Sequence, residues 1–187
     1  MKAFKNYDDV QAYSNSEKLP AGAYEVTLKR AEDSEKALCL LFDISAGEYS
    51  GYFMKKFTED KKAYPDKAKY KGVFRLWYPN GGKYDDQAER RMKTALERIA
   101  ESNGLKIDFT KEWEGERLKG AKVGMVFRDQ EYNYNGYTGM TAQPYQIITL
   151  EDLQAGRFAV PEPKKLSGTT QNGGVSADLP ADEDLPF

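Results

Sequence analysis

Asn135-Gly136 stands between two strand-like runs and constrains the local fold more tightly than any other feature of the chain. An Asn-Gly pair in that setting predicts a two-residue type I′ turn, because both loop residues must take positive φ. Tyr134 then pairs across the strands with Tyr137. Tyr132 falls two residues earlier on the same face, and Arg128 continues that face toward the body. Val123, Met125 and Phe127 take the opposite face. A β-bulge between residues 128 and 132 would break this register.

The remaining elements follow from hydrophobic period. From Ala23 to Arg30 apolar and polar residues alternate, which predicts a half-buried strand with Tyr24, Val26 and Leu28 toward the core. Leu38 to Ile44 is almost continuously apolar and reads as a central strand. Tyr49 to Phe57 reads as a third strand, and 58–71, charged and containing Pro65, as a loop. Val73 to Tyr78 fits either an extra strand or a helical turn. A helix is expected from about Asp86 to Asn103, with Ala88, Met92, Ala95, Leu96 and Ile99 as its apolar stripe. Asp86 and Glu89 resemble a capping box, and Gly104 a left-handed stop. Arg90, Arg91, Lys93 and Arg98 read as a solvated outer face. Strands at Gly120–Gln130 and 143–149 follow. Thr149 to Asp152 then caps a short helix closed by Gly156, and Pro161 and Pro163 end the folded part.

Three strands, a helix and two strands is the order of an OB-fold, a five-stranded barrel with its helix between strands three and four. The expected class is therefore mainly β with helical insertions. One domain spans residues 1–166. Residues 167–187, rich in Gly, Thr, Gln, Asn and Ser and then acidic, cannot bury enough apolar surface to offset ordering and are expected to be disordered.

Composition closes off several chemistries. The chain has no histidine and one cysteine, Cys39, inside the run Ala37-Leu38-Cys39-Leu40-Leu41. No disulfide can form within it, no Cys/His zinc site can be built, and Ser-His-Asp and Cys-His nucleophiles are excluded. Cys39 reads as a small buried hydrophobe. No segment is apolar enough to cross a membrane, and no signal-peptide core opens the chain, so a cytoplasmic protein is expected. All 28 Lys and Arg precede residue 167, whereas Asp178, Asp182, Glu183 and Asp184 lie in the last ten residues. A mildly basic body with an acidic appendage suits a polyanion partner.

Three residue groups carry the functional expectation. The hairpin offers Arg128, Tyr132, Tyr134 and Tyr137, which suit base stacking with a phosphate contact. In the expected third strand, Tyr52, Lys55 and Lys56 alternate with Phe53 and Phe57. Lys69, Lys71, Arg75 and Trp77 would extend them into a basic, aromatic groove, since strands two and three form the ligand face of OB-folds. The last group is the tip Asp182-Glu183-Asp184-Leu185-Pro186-Phe187, where a terminal ring and carboxylate follow a run of acids. A hydrophobic pocket with a basic rim would grip it.

That tip resembles the terminal peptide of bacterial single-stranded-DNA-binding proteins, with Leu185 in place of the usual Ile. The body is similar to a family of phage and prophage proteins of Gram-positive bacteria. The similarity runs through Leu19–Tyr24, Phe42–Tyr49, Leu118–Gly124 and Leu153–Phe158 with Val160-Pro161. The resemblance implies binding of single-stranded DNA in phage replication or recombination, inside the bacterial host. It also implies that the tip recruits replication or recombination enzymes. It supplies no catalytic residue and no cofactor or metal, so the expectation is a binding protein and not an enzyme. A homo-oligomer is compatible with the sequence. Two other classes use the same residues. A protein-only adaptor would bind protein through the aromatics. A carboxylate-dependent nuclease would draw on Asp43, Glu48, Asp85, Asp86, Asp108 and Asp129, none of which shows a metal-ligand spacing.

Overall fold

The computed structural model describes residues 18–134 and 136–166. The elements are β1 (Gly22–Asp33), β2 (Ala37–Ile44), α1 (Tyr52–Ala63), β3 (Val73–Trp77), α2 (Asp85–Asn103), β4 (Lys122–Tyr134), β5 (Tyr137–Ile148) and α3 (Leu150–Gln154), with a 3-10 turn at Gly115–Leu118. The strands form one antiparallel sheet in the order β3-β2-β1-β4-β5. The fold is mainly β and OB-fold-like, with α2 between the third and fourth strands as expected. The sheet does not close: β3 and β5 are its two edges.

The core follows the predicted period. Val26, Leu28, Phe42, Val123, Met125 and Phe127 are fully buried on one side of the sheet. All eight residues of β2 are buried, which confirms it as an inner strand. From α2, Ala95, Leu96 and Ile99 pack into the same core. The helix bridges the open gap. The Arg91 guanidinium carbon lies 5.5 Å from the Phe74 ring centroid in β3, and Arg91 Nη2 donates to the Tyr145 carbonyl of β5 at 2.7 Å. Arg98 Nη1 donates to the Ile147 carbonyl at 2.6 Å. Arg91, which stays exposed, and half-buried Arg98 thus do more than form a solvated face: they also hydrogen-bond the backbone of an edge strand.

The expected third strand is wrong. Residues 52–63 are helical, and the third strand is Val73–Trp77, the segment whose period had left strand and helical turn open. Phe53 and Phe57, four residues apart, fit one helix face as well as they fit alternation. A distant group decides between them. The buried Asp43 carboxylate on β2 accepts the backbone N–H groups of Phe53 at 3.0 Å and Met54 at 3.2 Å. Two donors orphaned by the first helical turn are thereby satisfied.

The Asp86 capping box also does not form. The residue before α2 is Tyr84, with no side-chain cap. Asp85 instead accepts from the backbone of Asn80, Gly81 and Gly82 at 3.0, 2.9 and 3.2 Å, and these bonds hold its carboxyl below the usual range. The other caps appear as expected. Gly104 takes φ 61°, and Thr149 Oγ1 accepts from Asp152 N at 3.0 Å.

Candidate nucleic-acid interface

β4 and β5 outrun the body. β1 pairs with β4 only as far as Gly22↔Phe127, whereas β4 and β5 stay paired to Tyr134↔Tyr137. Residues 128–134 and 137–143 therefore form a projecting arm. Asn135 lies outside the described residues; Gly136 takes φ 84°, and its N–H donates to Asn133 Oδ1 at 3.2 Å. The predicted Tyr134–Tyr137 pair is present. The one register shift falls at the foot of the arm: Val126 faces Gln146 and Phe127 faces Pro144, so Tyr145 is the extra residue. Residues 128–134 run without a break. Pro144 is tolerated here because it sits on an edge strand beside a bulge.

Directly paired residues share a face, so the arm has two different sides. One carries Arg128, Gln130, Tyr132, Tyr134, Tyr137, Thr141 and Gln143, with no acid. The other carries Asp129, Glu131, Asn133, Thr138 and Met140. Tyr134 and Tyr137 are 71% and 79% exposed, and Tyr132 is 42% exposed. Tyr132 lies across Gly139: a Cβ there would stand 2.6 Å from the Tyr132 hydroxyl. Arg128 lies over the Tyr145 ring, 4.7 Å from guanidinium carbon to centroid. Aromatic rings, one cation and no carboxylate on one surface suit nucleobases joined by phosphates.

The second predicted group is scattered rather than brought into one groove. Tyr52, on α1, joins a chain of edge-on rings, Tyr24–Tyr49–Tyr52–Phe53, at the foot of the arm. Its hydroxyl accepts from Leu19 N at 3.2 Å. Lys56 pairs with Glu59 at 3.3 Å and Lys71 with Asp60 at 3.5 Å. Lys55 lies on exposed helix surface, and Lys69 in the exposed connection that follows it. Arg75 and Trp77 do share a face of β3, opposite Cys39 and Ala37, with Trp77 42% exposed. Sequence reasoning missed Arg30. Its register puts it opposite Leu41, on that same face, where it pairs with Glu32.

It also missed a strap at the C-terminal end. Pro161 and Pro163 do not end the described fold. Lys164 N donates to the Asp129 carbonyl and Glu131 N to the Lys164 carbonyl, both at 2.9 Å. Leu166 N donates to Glu131 Oε2 at 2.9 Å. This short parallel bridge occupies the edge of β4 that β1 leaves uncovered beyond Phe127. The tip residues Asp182–Phe187 lie outside the described residues.

Several of the carboxylates have structural partners. Asp43 caps α1, Asp85 holds a turn, and Asp108 accepts from Thr110 and Lys111. Among the described residues no cluster of three or more acids or thiols could hold a metal ion. Nor is any helix among them long and apolar enough to cross a membrane. No protein-family model matches the chain, and no curated protein is significantly similar to it.

Proposed function

We propose that this protein binds single-stranded DNA without sequence preference through the β4–β5 arm. We further propose that its acidic tip recruits replication or recombination enzymes to the bound strand in a phage-infected bacterial cell. One observation carries the reading: three exposed tyrosines and an arginine share a face that has no acid, while the arm's acids lie on the other side. A hairpin that needed only internal stability would gain nothing from this separation of charge. Exposed aromatics on a projecting arm otherwise invite unwanted association. Base–aromatic stacking tolerates every base, because each has a π-face. Arg75 and Trp77 of β3 and Arg30 of β1, which flank the buried Ala37, Cys39 and Leu41 of β2 on one face, offer the strand a second contact.

The strap supports the second half of the proposal. It holds Leu166, the last described residue before the acidic segment, against Glu131 of the arm. A protein-only adaptor would use the same tail.

Fluorescence anisotropy of a labelled oligo(dT), titrated with the full chain at two salt concentrations, tests the reading. Tight binding that weakens with salt, and that duplex of equal length does not match, is expected. Absence of binding at low salt by a folded protein would leave the adaptor. Removal of Asp182–Phe187 is expected to abolish capture of the partner enzyme and to leave DNA affinity equal or higher. A large loss of DNA binding would contradict that division of labour.

A further inference from the structure

Two arginines from distant parts of the chain converge on Tyr145, the extra residue at the foot of the arm. Arg128 comes from β4 and covers the Tyr145 ring. Arg91 comes from α2 and donates to the Tyr145 carbonyl. Among the described residues neither guanidinium belongs to an ion pair. A guanidinium carries five N–H donors, and one carbonyl occupies only one Arg91 nitrogen. Arg128 has no side-chain hydrogen-bond acceptor among the described residues. Arg91 is exposed and Arg128 half-buried.

Two guanidinium groups that contact one residue, with no carboxylate partner among the described residues, raise the local positive potential and favour an anion there. We propose that Arg91 and Arg128 together hold one phosphodiester group of the bound strand at the foot of the arm. The strand then continues from this seat along the acid-free face toward Tyr132 and the Tyr134–Tyr137 pair. The inference rests on the single-strand reading above and adds to it a fixed phosphate position and a residue of α2.

Arg98 supplies an internal control. It lies on the same helix, and it donates to a β5 carbonyl, that of Ile147, just as Arg91 does to Tyr145. It differs in standing within electrostatic reach of the Asp152 carboxylate and in binding Ile147 rather than the Tyr145 that Arg128 covers. A purely structural role for Arg91 would make the two arginines equivalent.

The test is the slope of log affinity against log salt for labelled oligo(dT), measured on the full-length wild type, Arg91→Gln, Arg128→Gln and Arg98→Gln. Arg91→Gln and Arg128→Gln are expected to weaken binding by roughly tenfold, the loss of one charged hydrogen-bonding contact. Each should flatten the slope by about 0.7, the contribution of one single-strand phosphate. Arg98→Gln should leave the slope unchanged. If Arg91→Gln does not fold, Arg128→Gln decides, since its side chain makes only the ring contact. An unchanged slope in Arg128→Gln, or the same slope in Arg91→Gln and Arg98→Gln, would overturn the phosphate seat and leave the single-strand reading standing. A wild type that does not bind oligo(dT) would remove that reading, and the seat with it.

Discussion

The lower and upper halves of the β4–β5 hairpin are built from the same two strands and meet opposite fates. Below the bulge at Tyr145, Val123, Met125 and Phe127 on β4 and Ile147 and Ile148 on β5 are buried. Above it, Tyr132, Tyr134 and Tyr137 are exposed. Hydrogen bonding does not separate the halves, because the ladder runs through both. Coverage does. The lower half has β1 beside it and α2 and α3 against it, whereas among the described residues the upper half has only the strap on one edge. A ring below the bulge stabilises the fold; a ring above it is available to a ligand.

Truncation below the bulge should break this contrast most visibly. Phe127 stacks on Phe53 and meets Tyr24 and Phe42 edge-on. Phe127→Ala should cost about 3–5 kcal/mol in urea unfolding, from lost burial and the cavity left behind. A cost below 1 kcal/mol would mean that the aromatic cluster is not the core. Above the bulge the effects should reverse. Tyr134→Ala and Tyr137→Ala should each weaken oligo(dT) binding by about 1–3 kcal/mol if the ring stacks. The urea midpoint should move by no more than about 0.5 kcal/mol equivalent. Unchanged affinity would remove the arm from the site.

Asp43→Ala sharpens the contrast from the body side. It leaves the first N–H groups of α1 without their acceptor and should destabilise by about 1–2 kcal/mol, with oligo(dT) affinity unchanged in the folded fraction. The smallest effect expected is alkaline. Tyr78 donates to Asp33 at 2.8 Å at the far end of β1, and burial, followed by this bond and the Asp33 charge, pushes its phenol up to about 12. A phenol held protonated in the fold adds stability that is fully present below its ordinary value near 10 and is lost as pH rises toward 12. Wild-type stability should fall more steeply across that window than that of Tyr78→Phe. Identical pH profiles would dissociate Tyr78 from alkaline unfolding.

Most of the strands were legible because their period is unambiguous. Tyr24, Val26 and Leu28 alternate, and the second strand is apolar throughout. The arm was legible because a two-residue Asn-Gly turn sets both the pairing and the face of every residue up to the next bulge. Other features had no local signal. Tyr49 to Phe57 satisfies a strand period and a helix period at once, and the deciding acceptor, Asp43, lies ten residues before Phe53. The strap has one bridge, too short for any hydrophobic period to announce. Arg91 looked like one more solvated arginine, because its partner Tyr145 is 54 residues away.

The sequence by itself determined the β-rich class, the position of α2, the tyrosine face of the arm and that no disulfide closes within these 187 residues. Each of these depends on composition or on neighbours within a few residues, where backbone geometry dictates the outcome. Tertiary structure decided the helix at residues 52–63, the open edge bridged by α2, the strap on β4 and the contacts of Arg91 and Arg128 with Tyr145. Each of these depends on a polar group finding its partner far along the chain, and only the folded packing brings such groups within hydrogen-bonding distance.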